Sequence, residues 1–295
     1  MPRKLPARNS AAGRARPGLP DFLPEMTAIA REAGALLLRF FERRVKVEYK
    51  GDVDLVTEAD RASEKLIVQR IRRRWPSHDV LAEEGTRSDS GSDYRWYVDP
   101  LDGTTNFAHG FPVFCVSLGL ERKGERVSGV LYDPTRDELF SAEKGSGAFL
   151  NGRRLRVSGV SNLEESLLAT GFPSHKRHQN PNIHFYHQIT LRTHGVRRAG
   201  SAALDLASVA SGRFDAFWEF NLNPWDTAAG ALLVEEAGGK VTRFDGSPFQ
   251  IRSDQVLASN GLVHPALIRL FADIFAGRDL EPLPSPHEYA RMRKS

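Results

Sequence analysis

The chain has 295 residues, 40% of them hydrophobic, which is enough to bury a sizeable core in one domain or in two closely packed halves. Its formal net charge is +4, but residues 1–20 hold five Lys and Arg and no acid, so the rest of the chain is near −1 (4 − 5). The basic character therefore belongs to a tail, which argues against a nucleic-acid-binding face on the folded body. Cys115 is the only cysteine, which excludes a disulfide within the chain and favours a reducing, cytoplasmic setting. No apolar run approaches the roughly 20 residues of a membrane-spanning helix.

We predict a disordered basic extension over 1–20, a folded catalytic domain over 21–276, and a flexible tail over 277–295. The domain is expected to consist of two closely packed α/β halves, about 21–160 and 161–276. In the first half, apolar spacing predicts helices over 23–44 and 59–75 and strands over 94–99, 113–121, 127–132 and 138–142. A glycine-rich stretch at 145–152 resembles a phosphate loop, but it lacks the Lys-Ser/Thr ending, and Asn151-Gly152 predicts a hairpin turn instead.

The second half alternates between segments with the apolar spacing of strands and segments with that of helices. Strands are predicted over 166–170, 195–198, 214–219, 240–244 and 256–259, and helices over 183–194, 201–211, 227–237 and 265–275. The histidines around the helix at 183–194 lack the thiolate or carboxylate company of a zinc site. We interpret His184 and His187, three residues apart, as part of a solvated helix face.

Candidate chemistry is concentrated in the segment Trp96–Phe107, where a strand-like run ends at Asp99 and Pro100 is expected to force a turn. Asp102 follows, and then Gly103 and two threonines that begin a short helix. Mg²⁺ prefers oxygen ligands and is usually held by a few carboxylates together with substrate phosphate. This segment therefore predicts a metal and phosphate site.

Two distant carboxylates extend that prediction. Asp226 stands at the expected start of a helix, and Glu83 follows a short apolar segment. Together with Asp99 and Asp102 they are able to hold two or three divalent ions, and two such ions can assist an in-line phosphoryl displacement. Because these segments contain no histidine or cysteine, Mg²⁺, with Mn²⁺ as a substitute, is favoured over zinc. Taken singly, Asp102 or Asp226 is better explained as a helix cap; the pair Asp99 and Asp102 within this segment is not.

In this arrangement the chain resembles the inositol monophosphatase family. That family carries W-x-x-D-P-x-D-G-T-x-N-F, present at 96–107, and W-D-x-A-A-G, present at 225–230. A D-x-V-T-x-x-D element appears at 54–60, and a G-E-E-like element is reduced to Ala82-Glu83-Glu84. The resemblance covers about 22–276. It implies an α+β fold, the five-layered αβαβα sandwich of the inositol monophosphatase and fructose-1,6-bisphosphatase superfamily, which is commonly dimeric and lithium-sensitive.

The resemblance also assigns roles. Glu83, Asp99 and the Leu101 carbonyl would hold a first metal, and Asp99, Asp102 and Asp226 a second. Asp60 and the Thr104 hydroxyl would orient the attacking water. The phosphate and substrate contacts implied are Gly103, Thr104, Thr105, Gly200, Ser201, Ala202 and Glu219, with Lys50 and Asn106 as further candidates. Asn106 is equally well interpreted as a brace for its own loop.

Three functions follow from these patterns. The first is Mg²⁺-dependent hydrolysis of inositol monophosphate to inositol and phosphate. The second keeps the site and changes the ester to fructose-1,6-bisphosphate, histidinol phosphate or a nucleoside bisphosphate. The third, taken from bacterial members of the family, is an accessory role for RNA polymerase and ribosomal RNA synthesis, which would use a surface; we do not favour nucleic-acid or polymerase contact. The sequence does not rank the esters.

Overall fold

The structure is a computed structural model that describes residues 21–43, 47–49, 55–172, 180–283 and 285–287. The predictions for 1–20, Lys50 and 288–295 lie outside the described residues. A boundary at 276 stays a prediction. Beyond it, the backbone oxygens of Asp279 and Glu281 accept hydrogen bonds from Arg192 Nη2 and Gln188 Nε2, at 2.8 and 2.7 Å.

The first half of the described chain builds a seven-stranded sheet and two long helices. The helices are α1 (Leu23–Glu42), α2 (Glu58–Arg74) and the short α3 (Thr104–Ala108). The strands are β1 (Val47–Tyr49), β2 (Leu55–Thr57), β3 (Asp79–Ala82), β4 (Tyr94–Asp102), β5 (Cys115–Arg122), β6 (Glu125–Asp133), β7 (Glu138–Glu143), β8 (Gly147–Leu150) and β9 (Arg153–Arg154). Strands β3 to β9 lie side by side in chain order; β3 and β4 are parallel, and the later pairs are antiparallel. Strands β1 and β2 form a separate hairpin pair.

The second half builds a five-stranded sheet. Its strands are β10 (Leu167–Thr170), β11 (Gly195–Arg197), β12 (Ala216–Phe220), β13 (Lys240–Thr242) and β14 (Gln255–Ser259), in the order β11-β10-β12-β14-β13. Its helices are α4 (Asn182–Thr190), α5 (Ala202–Ala210), α6 (Pro224–Glu236) and α7 (His264–Ala276), and a 3₁₀ turn covers Leu163–Glu165. Strands β11, β10 and β12 run parallel, and β14 and β13 continue antiparallel.

Three buried clusters show how the described elements stack. One cluster joins α1 and α2 to a face of the large sheet through residues such as Met26 and Trp96. The second lies between the two sheets around α5 and α6, and the third joins the outer face of the small sheet to α4 and α7 around Phe185. The order is therefore helix, sheet, helix, sheet, helix, which confirms the predicted αβαβα sandwich.

The middle helix layer is held unusually close to the large sheet. A Cβ added to Gly119 on β5 would lie 2.4 Å from Ala228 Cβ, and one added to Gly129 on β6 would lie 2.9 Å from Ala229 Cα. Residues 227–234 of helix α6 are all buried, because sheets cover both sides of the helix. Small residues at these facing positions let helix and sheet backbones approach.

The predicted turn at Pro100 was wrong. Strand β4 continues through it to Asp102, and the register against β5 shifts between Asp99 and Asp102. Since proline cannot donate to a ladder, the irregularity accommodates it without ending the strand. The hairpin at Asn151-Gly152 is confirmed, with φ of 48° and 76° at the two turn residues. The helix predicted over 183–194 ends at Thr190, and the chain turns there into β11.

Two smaller expectations concern exposure. Cys115 is buried in β5. His184 is exposed on α4, whereas His187 is only partly exposed, with its Nε2 3.2 Å from the carbonyl oxygen of Pro282. No helix in the described ranges is long and apolar enough to cross a membrane.

Candidate functional site

Parallel pairing of β3 and β4 brings the first two predicted ligands together. Ala82 is the register partner of Val98, and the Glu83 amide donates to the Val98 carbonyl at 3.1 Å. The next residue of each strand is therefore an acid, Glu83 beside Asp99, at the same sheet edge. Asp99 Oδ1 also accepts from the Leu101 amide at 3.0 Å, which orients the carboxyl across the Pro100 irregularity.

Asp102 closes strand β4 and caps helix α5. Its Oδ2 accepts from the Ser201 hydroxyl at 2.6 Å and from the Ala203 amide at 2.8 Å. Ser201 is the N-cap of α5, and its Oγ accepts from the Leu204 amide at 3.3 Å. The end of the large sheet is thus fixed to the first turn of a helix from the second half of the chain.

Asp226 comes from that second half and lies in the first turn of α6. Its Oδ2 accepts from the Asn223 amide at 2.7 Å in a capping box, and Pro224 occupies the first turn as it commonly does. Ser117 on β5 donates to the Trp225 carbonyl at 3.1 Å, which ties this turn to the large sheet. The expected capping role and a ligand role therefore coexist in one residue.

The acidic side chains interact strongly enough to shift one another's ionisation. Burial raises the pKa of Asp99 well above its ordinary value, and the charges of Glu83, Asp102 and Asp226 raise it further. Burial likewise raises the pKa of Asp226, followed by the charges of Asp102 and Glu83. The pKa of Asp102 is raised by burial, although its hydrogen bonds from Ser201 and from nearby backbone amides oppose that shift. All four carboxyls predicted as ligands therefore face one shared region.

These groups have the chemistry of a hard-cation site. Glu83 and Asp99 are hydrogen-bonded carboxyl to carboxyl, a contact that requires a proton in the absence of a cation. Among the described residues, no group of three or more His, Cys, Asp and Glu side chains is arranged to hold a metal ion. An open set of oxygen donors suits Mg²⁺, which commonly keeps several waters and completes its shell with substrate phosphate.

Asp60 and Thr104 meet beside this region. Thr104 Oγ1 lies 3.2 Å from Asp60 Oδ1 and 3.0 Å from the Leu101 carbonyl oxygen, so it is able to donate to either. Asp60 is in the first turn of α2 and is buried. Thr104 begins α3 directly after Gly103. Gly103 has a φ of 96°, and a Cβ added to it would lie only 2.7 Å from the Val113 oxygen, so both the backbone conformation and the available space require glycine.

Two supporting residues were missed by the sequence analysis. The Ser63 hydroxyl donates to the Pro100 carbonyl at 2.9 Å, and buried Glu64 accepts from the Glu84 amide at 2.7 Å and the Thr86 hydroxyl at 2.6 Å. They hold the two ligand-bearing segments against α2. The sequence could have indicated Glu64 through its position: it lies one turn after Asp60 and therefore on the same inward face of the helix.

The residues predicted on the substrate side occupy different surroundings. Glu219 on β12 is only 7% exposed, and a Cβ added to Gly171 would lie 2.2 Å from its Oε2. Asn106 Nδ2 donates to the Val113 carbonyl at 2.8 Å and the Ala199 carbonyl at 2.9 Å, which favours the bracing interpretation. Ser201 is committed to Asp102, Gly200 and Ala202 flank it, and Thr105 is exposed.

Comparisons with known proteins show to which family the chain belongs. The profile of the inositol monophosphatase family matches residues 21–275. A Nus factor SuhB from Pseudomonas aeruginosa is 49% identical, over 81% of this chain and 91% of that protein. An inositol-1-monophosphatase from Synechocystis is 44% identical, over 86% of this chain and 90% of that protein.

Solved structures give the same result. The crystal structure of the extragenic suppressor protein suhB from Bartonella henselae matches with a TM-score of 0.81 at 44% identity, covering 84% of this chain and 97% of that one. The inositol monophosphatase from Anabaena matches with a TM-score of 0.79 at 44% identity, covering 89% and 97%. This chain belongs to the inositol monophosphatase family.

Proposed function

We propose that this protein is a Mg²⁺-dependent phosphomonoesterase that hydrolyses inositol monophosphate to inositol and phosphate. The observation that carries the proposal is the meeting of Glu83, Asp99, Asp102 and Asp226, drawn from both halves of the chain, beside the Asp60–Thr104 contact. Relatives named inositol-1-monophosphatase at 44% identity support the choice of ester.

We assign the metal to the four carboxyls and the Leu101 carbonyl, with Glu83 and Asp99 on one ion and Asp99, Asp102 and Asp226 on the other. When bound, the ions would lower the pKa of a coordinated water and neutralise charge on the leaving oxygen.

The protein groups then have distinct tasks. When Thr104 Oγ1 donates to Asp60 Oδ1, its oxygen lone pairs remain able to accept a hydrogen bond from a water on the opposite side. Asp60 and Thr104 thus orient the nucleophilic water, and no covalent intermediate on a serine or cysteine is required. The amides that begin α3, at Gly103, Thr104 and Thr105, are assigned to the phosphate.

The alcohol part of the substrate is assigned to the neighbourhood of Gly200, Ser201, Ala202 and Glu219. Glu219 would accept hydrogen bonds from ring hydroxyls. Lys50 lies outside the described residues and keeps its place as a candidate only. We further propose a homodimer, a cytoplasmic location and inhibition by Li⁺, in keeping with the family resemblance.

The deciding experiment measures phosphate release from a panel of phosphomonoesters with Mg²⁺, for the wild type and for Asp102→Asn. Inositol 1-phosphate should be preferred, and the variant should lose hydrolysis of every ester because a ligand charge is removed. Asp93→Asn is the matched control, since it makes the same chemical change at an exposed ion pair with Lys123.

The outcomes separate the parts of the proposal. A preference for another ester would keep the metal assignment and replace the substrate. Full activity of Asp102→Asn would refute the metal assignment. Activity that persists in the presence of excess chelator would refute metal dependence as a whole.

A second candidate function is favoured by one observation, the 49% identity to a protein named Nus factor SuhB. We propose as the alternative that the chain is an accessory factor for RNA polymerase in ribosomal RNA synthesis. This role would use the surface, so Asp102→Asn should complement a deletion strain for ribosomal RNA synthesis. Failure of the folded variant to complement would tie the cellular role to catalysis.

A further inference from the structure

A buried glutamate on α2 fixes the turn that carries Glu83. Glu64 is 5% exposed and is not among the groups assigned to the metal, the phosphate or the alcohol. Its Oε2 accepts from the Glu84 amide at 2.7 Å, and its Oε1 accepts from the Thr86 amide at 3.1 Å and the Thr86 hydroxyl at 2.6 Å. Three donors that directly follow Glu83 therefore converge on one carboxyl.

The large sheet fixes the same turn from the other side. The Glu83 amide donates to a carbonyl of β4 at 3.1 Å, and the Ala82 amide donates to the Thr86 carbonyl at 2.9 Å. Gly85, with a φ of 108°, allows the chain to reverse between these bonds. The backbone around Glu83 is thus held by β4 before the turn and by Glu64 after it.

The three donors of the turn require a carboxylate as their acceptor. A carboxylate accepts through both of its oxygens, whereas an amide of the same length presents one oxygen and one NH₂ group. Glu64→Gln would therefore place an N–H group against either the Glu84 amide or the Thr86 amide, and the hydrogen bond there would be lost. Because donors without an acceptor destabilise a folded structure, the turn is then expected to move, and Glu83 with it.

Asp79 provides a comparison within the same connection between β3 and β4. It is 1% exposed and accepts from the Ser90 amide at 2.8 Å, the Ser90 hydroxyl at 2.9 Å and the Ser92 amide at 3.2 Å. Like Glu64, it is a buried carboxyl with three donors from the following connection. The segment that Asp79 holds contains none of the proposed ligands, so a difference between the two carboxyls isolates the positioning of Glu83 from a general loss of stability.

We propose that Glu64 is a positioning residue that sets the affinity for the ion assigned to Glu83 and Asp99, by fixing the turn from which Glu83 reaches that ion. Groups that orient metal ligands commonly change metal affinity by about ten- to a hundredfold when they are replaced. The other ion, assigned to Asp99, Asp102 and Asp226, depends on β4 and α6 instead. This inference rests on the proposed metal assignment and deepens it.

The test titrates Mg²⁺ by calorimetry, without substrate, into the wild type, Glu64→Gln and the matched control Asp79→Asn. Both variants should lower the urea midpoint, because each loses hydrogen bonds of a buried carboxyl. Only Glu64→Gln should weaken Mg²⁺ binding, with a Kd about tenfold higher or more, whereas the Kd of Asp79→Asn should stay within about twofold of the wild type. In the metal-free protein, Glu64→Gln should also speed hydrogen exchange of the Glu84 and Thr86 amides.

Thr86→Val is a milder variant that keeps the inference testable if Glu64→Gln does not fold. It removes one of the three donors and keeps the shape of the side chain, so the Kd for Mg²⁺ should rise several-fold. Equal weakening of Mg²⁺ binding in Glu64→Gln and Asp79→Asn would overturn the inference. If the wild type itself binds no Mg²⁺, the metal assignment fails; if it does and the folded variants bind Mg²⁺ as tightly, only the role of Glu64 fails.

Discussion

A buried histidine makes the stability of the fold depend on pH in a way that can be isolated. His264 begins α7, is 1% exposed, and lies between two hydroxyls: Ser259 Oγ at 2.8 Å from Nδ1 and Thr242 Oγ1 at 2.9 Å from Nε2. Burial lowers its pKa from 6.5 to about 4, with a further contribution from the charge of Lys240. The neutral imidazole therefore joins β13, β14 and α7.

The direction of the effect follows from proton uptake. Between about pH 6.5 and 4 the unfolded chain binds a proton at this position and the folded chain does not, so folding stability falls as pH falls through that window. The full difference corresponds to about 3 kcal/mol, and about 2 kcal/mol of it is lost between pH 7 and pH 5. Above pH 7 this histidine contributes no further pH dependence.

The perturbation is His264→Gln, which keeps a hydrogen-bonding side chain and does not titrate in this range. Urea unfolding of wild type and variant at pH 7 and pH 5 gives a double difference in which the titration of all other shared groups cancels. With an m value of about 3 kcal/mol/M, the wild-type midpoint should fall by about 0.6 M more than that of the variant. Equal pH dependence in the two proteins would refute the reasoning.

Three further outcomes are expected. Gly171→Ala should displace Glu219, because the new Cβ would lie 2.2 Å from its carboxylate. The KM for inositol 1-phosphate should therefore rise, while the KM for p-nitrophenyl phosphate should not change. An unchanged KM for inositol 1-phosphate would contradict the placement of Glu219. Gly119→Ala should lower the unfolding free energy by about 1–3 kcal/mol through overpacking against Ala228, whereas Gly159→Ala, which has no atom within 4 Å of its added Cβ, serves as the control in the same urea titration. Mg²⁺ should raise the melting temperature more at pH 8 than at pH 5.5, because the metal must displace protons from carboxyls whose pKa is raised by burial; calorimetry showing the opposite order would contradict the metal assignment.

Much of the fold was predictable because local periodicity coincided with tertiary burial. Helices α1 and α2 and strands β5 to β7 each have one face on the first core, and their apolar spacing reports it directly. The hairpin at Asn151-Gly152 was predictable from backbone chemistry alone. The layer order and the roles of the acids came from the resemblance to a family.

What escaped prediction depended on contacts between distant segments. The buried surroundings of α6 arise from sheets on both sides, and neither sheet is visible in the sequence of the helix itself. The continuation of β4 past Pro100 requires the partner strand β5, which resumes pairing at Asp102 opposite Cys115. In the sequence, Glu64 and Asp205 resemble ordinary charged helix residues, and only the folded structure shows that they are buried.

The capping of α5 by Asp102 also has a consequence for how the protein assembles. Asp102, at the end of the large sheet, caps the first turn of α5, which belongs to the second half of the chain. Asp226, from that second half, lies beside the acids Asp102 and Glu83 of the first half. If the chain were cut near residue 160, the second piece would lack the carboxyl that caps α5, and neither piece would contain all four acids of the cluster. Activity regained on mixing the two pieces would then report their reassociation. The chain near residue 160 is therefore a suitable place to divide the protein into a split reporter.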